Sequence, residues 1–319
     1  MVTMIVGATI IVCLADDAKQ GTPDLGANAS LHGLRVFAED DPWNKDISNE
    51  PVDPDSDALI ASIGKSKPLH PDFGTTYQGA PSGIPYVVVD SKQAKAPVTF
   101  EYAGESDAGA YPIPADAPIE GGPKAKGDRH VLVIDRDAWV LYELFSAYPV
   151  DGGKSWRAGS GAIFDLTKNT LRPAGWTSAD AAGLPIFPGL ARYDEVVDRK
   201  QLTHALRFTV EKSRRAYVAP ARHWASRSDD PKLPPMGMRV RLKADYDVSR
   251  FPESARVILE GLKGYGMIVA DNGGDWFVSG APDPRWTDAE LATLKRVKGS
   301  DFEVVRMSDV VPARAKNLK

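Results

Sequence analysis

Cysteine is almost absent from this chain: among 319 residues only Cys13 is one. A single cysteine near the start cannot form an internal disulfide, and the rest of the chain has no thiol nucleophile and no thiolate metal ligand. An excess of basic charge is missing too. The 39 Lys and Arg stand against 43 Asp and Glu, for a formal net charge of -4, so neither nucleic acid nor an anionic membrane surface is expected as a general partner. No glycine-rich phosphate loop joins a strand to a helix, and no metalloprotease or nucleophile-elbow pattern occurs, so no cofactor is expected. In AGSGA at 158–162, Ser160 has glycine on both sides but not two residues away, which reads as a tight turn. No repeat period appears. With 28 Gly and 25 Pro the chain is a poor candidate for a helix bundle.

What is present begins with an apolar run, MVTMIVGATIIVCLA, which stops at Asp16 and Asp17. It is shorter than the roughly 20 residues that cross a bilayer as a helix. Ala15, with Cys13 two before it, suits signal cleavage. Residues 1–15 therefore read as a signal peptide of a secreted or periplasmic protein without stable membrane insertion, 16–40 as a flexible leader, 41–310 as one β-rich domain, and 311–319 as a basic tail.

Residues 40–57 are dense in Asp, Pro and Asn, which favour turns, and ALIASIG after them gives a short helical turn. Strand-like segments follow at 84–90, 96–103, 130–135 and 139–147, the last two forming a hairpin around Asp135, Arg136 and Asp137. Further strands read from GAIFDL, HALRFTV, RAYVAPA and MRVRLK. Two C-terminal segments read as helical: PESARVILEGLKGYG, and TDAELATLKRV with Thr287 and Glu290 spaced as a capping box. Short strands bounded by turns predict a β-rich α+β fold, a sandwich or barrel, and disfavour a doubly wound sheet.

Long strings of the chain, among them DPWNKDIS, GDRHVLVIDRD, AGSGAIFDL, LRPAGWTSADAAGLPIFPGL, YVAPARHWAS and YGMIVADNG, resemble an uncharacterised family of exported bacterial proteins with some fungal members. The resemblance runs from Asp41 to about Met307. It implies one integrated exported unit and brings no reaction with it.

Three segments carry residues capable of chemistry. The first is the long connection from Arg172 to Glu195, with Trp176, Ser178 and Asp180; long ordered loops on β scaffolds often bear sites, although Thr177 or Ser178 capping a short turn reads equally well. The second is Arg222-His223-Trp224, within a stretch from Arg207 to Arg227 that holds six Lys or Arg against one acid, Glu211. The third is MIVADNGGDWF, where Asp271 leaves an apolar strand close to Trp276. Asn272-Gly273 there is a hairpin signal, while the apolar surroundings of Asp271 would raise its carboxyl pKa toward general-acid use. Lytic enzymes of the double-psi barrel type look similar in this one respect, an Asp on a strand of a small β-barrel.

Together these segments predict an exported enzyme acting on a polysaccharide, a hydrolase or lyase. Asp271 and Asp180 are its expected acid and base, with His223 as alternative base. Arg222 is the expected clamp for an acidic sugar, and Trp176, Trp224 and Trp276 are the stacking platform. The alternative is a non-catalytic glycan or cell-envelope binding protein using the same aromatics. A metal site from His70, His130, His204 and His223 has no ligand spacing to support it.

Overall fold

The computed structural model describes residues 21–313. The expected signal peptide and residues 314–319 of the tail lie outside them.

Apolar strands that are buried on both faces organise the molecule. Tyr86–Val89 (YVVV) and Val131–Asp135 (VLVID) are buried throughout and pair in parallel. Val140–Phe145 closes the expected hairpin antiparallel to Val131–Asp135, and Asp135 secures its turn by accepting the N–H groups of Asp137 and Ala138, each at 3.1 Å. With Gly26–Ala27 and Ser160–Asp165 at its edges this is a five-stranded sheet. Side chains alternate across it, as the period of two requires. Tyr86, Val88, Leu132, Ile134 and Leu141 enter a large core on one side, and Val87, Val89, Val133, Tyr142 and Leu144 enter a smaller one on the other.

A four-stranded sheet made of Ala96–Phe100, Ala110–Tyr111, Tyr148–Val150 and Ser155–Ala158 contributes Tyr111, Trp156 and Ala158 to the smaller core. AGSGA, expected as a tight turn, is a bend at Gly159 between a strand of this sheet and a strand of the first. The large core is shared with a six-stranded sheet ordered Phe302–Val304, Arg239–Leu242, Met267–Asn272, Leu206–Val210, Phe277–Ser279 and His70–Asp72. It mixes parallel and antiparallel pairs: Leu206–Val210 runs parallel to Met267–Asn272 and antiparallel to Phe277–Ser279. The protein is thus β-rich with few helices, as its strand pattern predicts.

The helix expected near Pro252 spans Glu253–Gly264, and Ile258, Leu259 and Leu262 on it are buried. The second helical segment is a single α-turn, Asp288–Leu291, continued by a 3₁₀ turn from Ala292 to Arg296. Its expected capping box does not form. The Thr287 side chain makes no cap bond, and the Glu290 carboxylate instead accepts the Ser254 hydroxyl at 2.6 Å.

The flexible leader needs correction over residues 21–40. Gly26–Ala27 pairs with Val87 and Val88, Asn28 accepts the Tyr86 N–H at 3.1 Å, and Leu31, Val36 and Phe37 are core residues. Burying three apolar side chains contributes to ordering the segment, together with its backbone pairing and hydrogen bonds. At the other end, Val311–Pro312 of the expected tail pairs with Ala216–Tyr217.

Candidate functional site

Charged side chains enter the region between the five- and six-stranded sheets from both. Glu143 lies in the apolar strand VLYELF, on the same face as Leu141, and is fully buried. Its carboxylate accepts the N–H groups of Ile186 and Phe187 at 2.9 Å. Burial pushes its pKa up to about 7 against the pull of those two donors.

From the six-stranded sheet comes Arg207, between the core residues Leu206 and Phe208. Its Nε and Nη2 donate to the two carboxylate oxygens of Asp180 at 2.9 Å, and its Nη1 donates to the Ser279 hydroxyl at 2.5 Å. Every nitrogen of this buried guanidinium is satisfied, the condition under which a buried ion pair is tolerated.

Asp180 belongs to a loop fixed through backbone carbonyls. Ser160 Oγ donates to Ser178 O at 2.6 Å, and Ser178 Oγ to Leu184 O at 2.5 Å. Two histidines grip the loop on either side of Asp180. His130 Nε2 is 3.1 Å from Ala179 O, and His223 Nδ1 is 2.9 Å from Ala181 O. Each histidine also faces a carboxylate: His130 Nδ1 lies 2.6 Å from Glu120, and His223 Nε2 lies 3.9 Å from Glu105. Burial opposes charge on His130, but the Glu120 charge and hydrogen bond outweigh it and hold its pKa at about 9. Glu120 is correspondingly lowered, its burial outweighed by the His130 charge.

All three sequence segments meet here. Ala182 N–H donates to Ala270 O at 2.9 Å, the residue before Asp271. Arg222 and His223 N–H donate to Ala182 O at 2.8 and 3.1 Å, and Gly175 N–H donates to Arg222 O at 2.7 Å. Gly183 permits the crossing: its φ is +70°, and a Cβ there would lie 2.5 Å from Trp176 O.

Asp271 is half-buried at the end of the strand Met267–Asn272 and accepts the Asn272 N–H at 2.6 Å. Its pKa is raised to about 7, first by burial and then by the Asp180 charge, with Arg207 and the Asn272 N–H opposing. Asp72, on the edge strand His70–Asp72 two strands beyond that of Arg207 in the same sheet, is also raised, by burial, and lies in the field of Arg207. The arrangement therefore offers one partly accessible carboxyl able to hold a proton near neutrality beside a fixed ion pair.

The remaining expected residues divide. Trp224 is half-buried and stacks on His223 at 4.7 Å and on Tyr217 at 6.4 Å. Trp176 is half-buried with the Arg172 guanidinium 5.6 Å from its ring. Arg222 reaches the same place, its Nε donating to Arg172 O at 2.9 Å. Two assignments are corrected. Asp180 has a side-chain exposure of 0% and both oxygens committed to Arg207, so it cannot touch a substrate as a base. Trp276 is fully buried, stacked between Phe208 and Phe302 with its Nε1 donating to Gly64 O at 3.1 Å. It is a core residue and presents no face to a sugar.

The histidines considered for a metal are dispersed. His204 is held by Glu195, and His70 stacks on Phe277 at 3.9 Å. Among the described residues no group of three His, Cys, Asp or Glu side chains could hold a metal ion. Sequence reasoning missed Arg207, Glu143 and the Glu120–His130 pair. The available signal was a charged residue inside an otherwise apolar strand, HALRFTV and WVLYELF, since such residues are seldom buried unless paired. Compared with known proteins, the chain matches no family model, no curated protein and no solved structure.

Proposed function

We propose that this is an exported enzyme that cleaves a polysaccharide with Asp271 as its general acid. The observation that carries the reading is the setting of Asp271: a half-buried carboxyl with a pKa near 7, next to a buried Asp180–Arg207 pair. A carboxyl that keeps part of its protons at neutral pH yet is reachable is what protonation of a glycosidic oxygen requires. Asp180 acts as a positioning residue, because its charge raises Asp271 while Arg207 fixes its place. Trp176 and Trp224, with Arg222 reaching from the segment of Trp224 to Arg172 O, supply aromatic faces and a cation for sugar rings and an acidic substituent.

A second reading has its own observation. A two-carboxylate hydrolase needs a second accessible carboxylate, and Asp180 is sealed in an ion pair. A glycan-binding protein without catalysis needs only the half-exposed tryptophans. Product analysis after incubation with neutral and acidic polysaccharides separates the two. The enzyme reading expects new chain ends from the wild type and about 100-fold fewer from Asp271→Asn, the usual scale for a general acid. Saturable binding with no products from any polysaccharide would establish the binding reading.

A further inference from the structure

Asp271 ends a row of accessible residues that crosses the six-stranded sheet. Strand register sets His70, Phe277, Thr209 and Asp271 side by side on four neighbouring strands, a bulge at Ala270 bringing Asp271 opposite Thr209. Residues opposite one another in a sheet share a face. His70 accordingly stacks on Phe277 at 3.9 Å, and the charges of Asp180 and Arg207 act on Asp271. All four residues of the row are partly exposed, whereas Phe208, Ala270, Trp276 and Val278 beside them are buried. With strands about 4.8 Å apart, His70 stands roughly 14 Å across the sheet from Asp271, a span longer than one sugar ring.

At the His70 end of the row lies a cavity of about 510 Å³, within the roughly 300–1,000 Å³ usual for small-molecule sites. The His70–Phe277 pair forms one part of its wall. Another is Tyr77, 68% exposed on the hairpin that pairs Thr76 with Pro81 and Tyr77 with Ala80. The charged groups of the lining are Asp72, Asp288 and Lys295, and among the described residues none of them is in an ion pair within 4.0 Å. Asp288 accepts the Thr75 N–H at 2.9 Å, and Asp72 is exposed. Burial, and then the charge of Lys295, lower the pKa of His70, so it is neutral at neutral pH. From beyond the lining Glu120 and Arg207 act on Asp72 with opposite sign. The cavity thus sets two carboxylates against one ammonium, each able to hydrogen-bond hydroxyl groups.

We propose that this cavity is a binding subsite for an uncharged sugar of the glycan that reaches Asp271, the glycan lying across the strands along the row from His70 to Asp271. Tyr77 and the His70–Phe277 pair supply the apolar surface on which a sugar ring rests, and the charged side chains take its hydroxyls. An acidic sugar would meet the repulsion of Asp72 and Asp288, which leaves acidic units to Arg222. The inference rests on the glycan reading of the proposed function, in its catalytic or its binding form, and adds which kind of unit binds at this end.

The test is isothermal titration of the full chain carrying Asp271→Asn, which slows any cleavage, with short and long oligosaccharides of glucose, mannose, xylose, galactose and galacturonic acid. It is repeated with Tyr77→Ala and with Lys295→Ala added. Saturable binding of a neutral oligosaccharide is expected, tighter for the long form and weakened about tenfold by Tyr77→Ala, with an unfolding temperature close to that before the exposed Tyr77 was changed. Without Asp271→Asn, Tyr77→Ala should raise KM and leave kcat nearly unchanged. No saturable binding of any neutral oligosaccharide, equal affinity with and without both Tyr77→Ala and Lys295→Ala, or a larger effect of Tyr77→Ala on galacturonate oligomers than on neutral ones would overturn the proposal. Neutral binding weakened by Tyr77→Ala, with no products from the wild type, would keep the subsite and remove the enzyme. Products from the wild type with a KM unaltered by either change would keep the enzyme and remove the subsite.

Discussion

Arg207 and Arg192 are both buried arginines next to acidic residues, and they differ in how completely they are satisfied. Arg207 spends Nε, Nη1 and Nη2 on Asp180 and Ser279. Arg192 leaves Nε and Nη1 without acceptors beside a cavity. A closed network fixes the geometry of whatever lies next to it, here Asp271. An open one leaves donors unpaired in the interior and holds its neighbours less firmly. The comparison separates a fully paired arginine from a partly paired one by counting donors rather than charges.

Breaking the closed network should have the largest effect. Asp180→Asn leaves Arg207 buried without its counter-charge, and a loss of about 3–5 kcal/mol is expected in denaturant unfolding. The same change removes the Asp180 charge that raises Asp271, so the Asp271 pKa should fall. Nearly unchanged stability would mean that the pair contributes little to holding the sheets together.

Glu143 sharpens the point through pH. Its folded pKa of about 7 lies above the ordinary 4.5 of a glutamate, so the folded state binds the extra proton, and stability falls as pH rises between those values. His130 adds to the trend, because its paired form, with a pKa of about 9 against 6.5, contributes fully below 6.5 and is lost on rising through 9. Thermal unfolding should therefore show lower stability at pH 8 than at pH 5.5. Glu143→Gln keeps an acceptor for Ile186 and Phe187 and should reduce that difference by up to about 2 kcal/mol. An unchanged slope would place the titration elsewhere.

Opening the open network further should cost less. Arg192→Gln removes the charge-assisted bond to Glu195 and the 3.7 Å ion pair with Asp194, while His204 still holds Glu195, for about 1.5–3 kcal/mol by the same unfolding measurement. A loss as large as that of Asp180→Asn would erase the distinction between the two arginines. Smallest of all, Trp224→Ala should leave unfolding within about 1 kcal/mol, since the ring is only half-buried, while weakening retention on an immobilised glycan. Retention equal to wild type would remove Trp224 from the platform.

The strands were legible because alternation and turn residues are local signals: VLVID-RDA-WVLYELF encodes its hairpin in one continuous stretch. The meeting of the 172–195 loop, the 222–224 segment and Asp271 was legible as well, from polar residues interrupting apolar strands. What stayed hidden is pairing. Asp180 resembled a catalytic base because its partner, Arg207, lies 27 residues away and nothing local announces it. Trp276 sits in a DNGGDW turn that reads as exposed, yet at φ +62° its ring turns into the core between Phe208 and Phe302. The ordered 21–40 segment was obscured by its polar composition, because its anchors are backbone pairing and three widely spaced apolar residues. The unpaired donors of Arg192 were invisible too, since an unsatisfied donor is a property of the folded surroundings alone.

The most direct test of the central claim is the proton affinity of Asp271 itself. Carboxyl carbon chemical shifts followed against pH by nuclear magnetic resonance, with Asp271→Asn assigning the signal, should give a midpoint near 7. That midpoint should move downward in Asp180→Asn. A midpoint near 4, the range of an ordinary Asp, would contradict a neutral-pH general acid and leave the meeting of the three segments as structure alone.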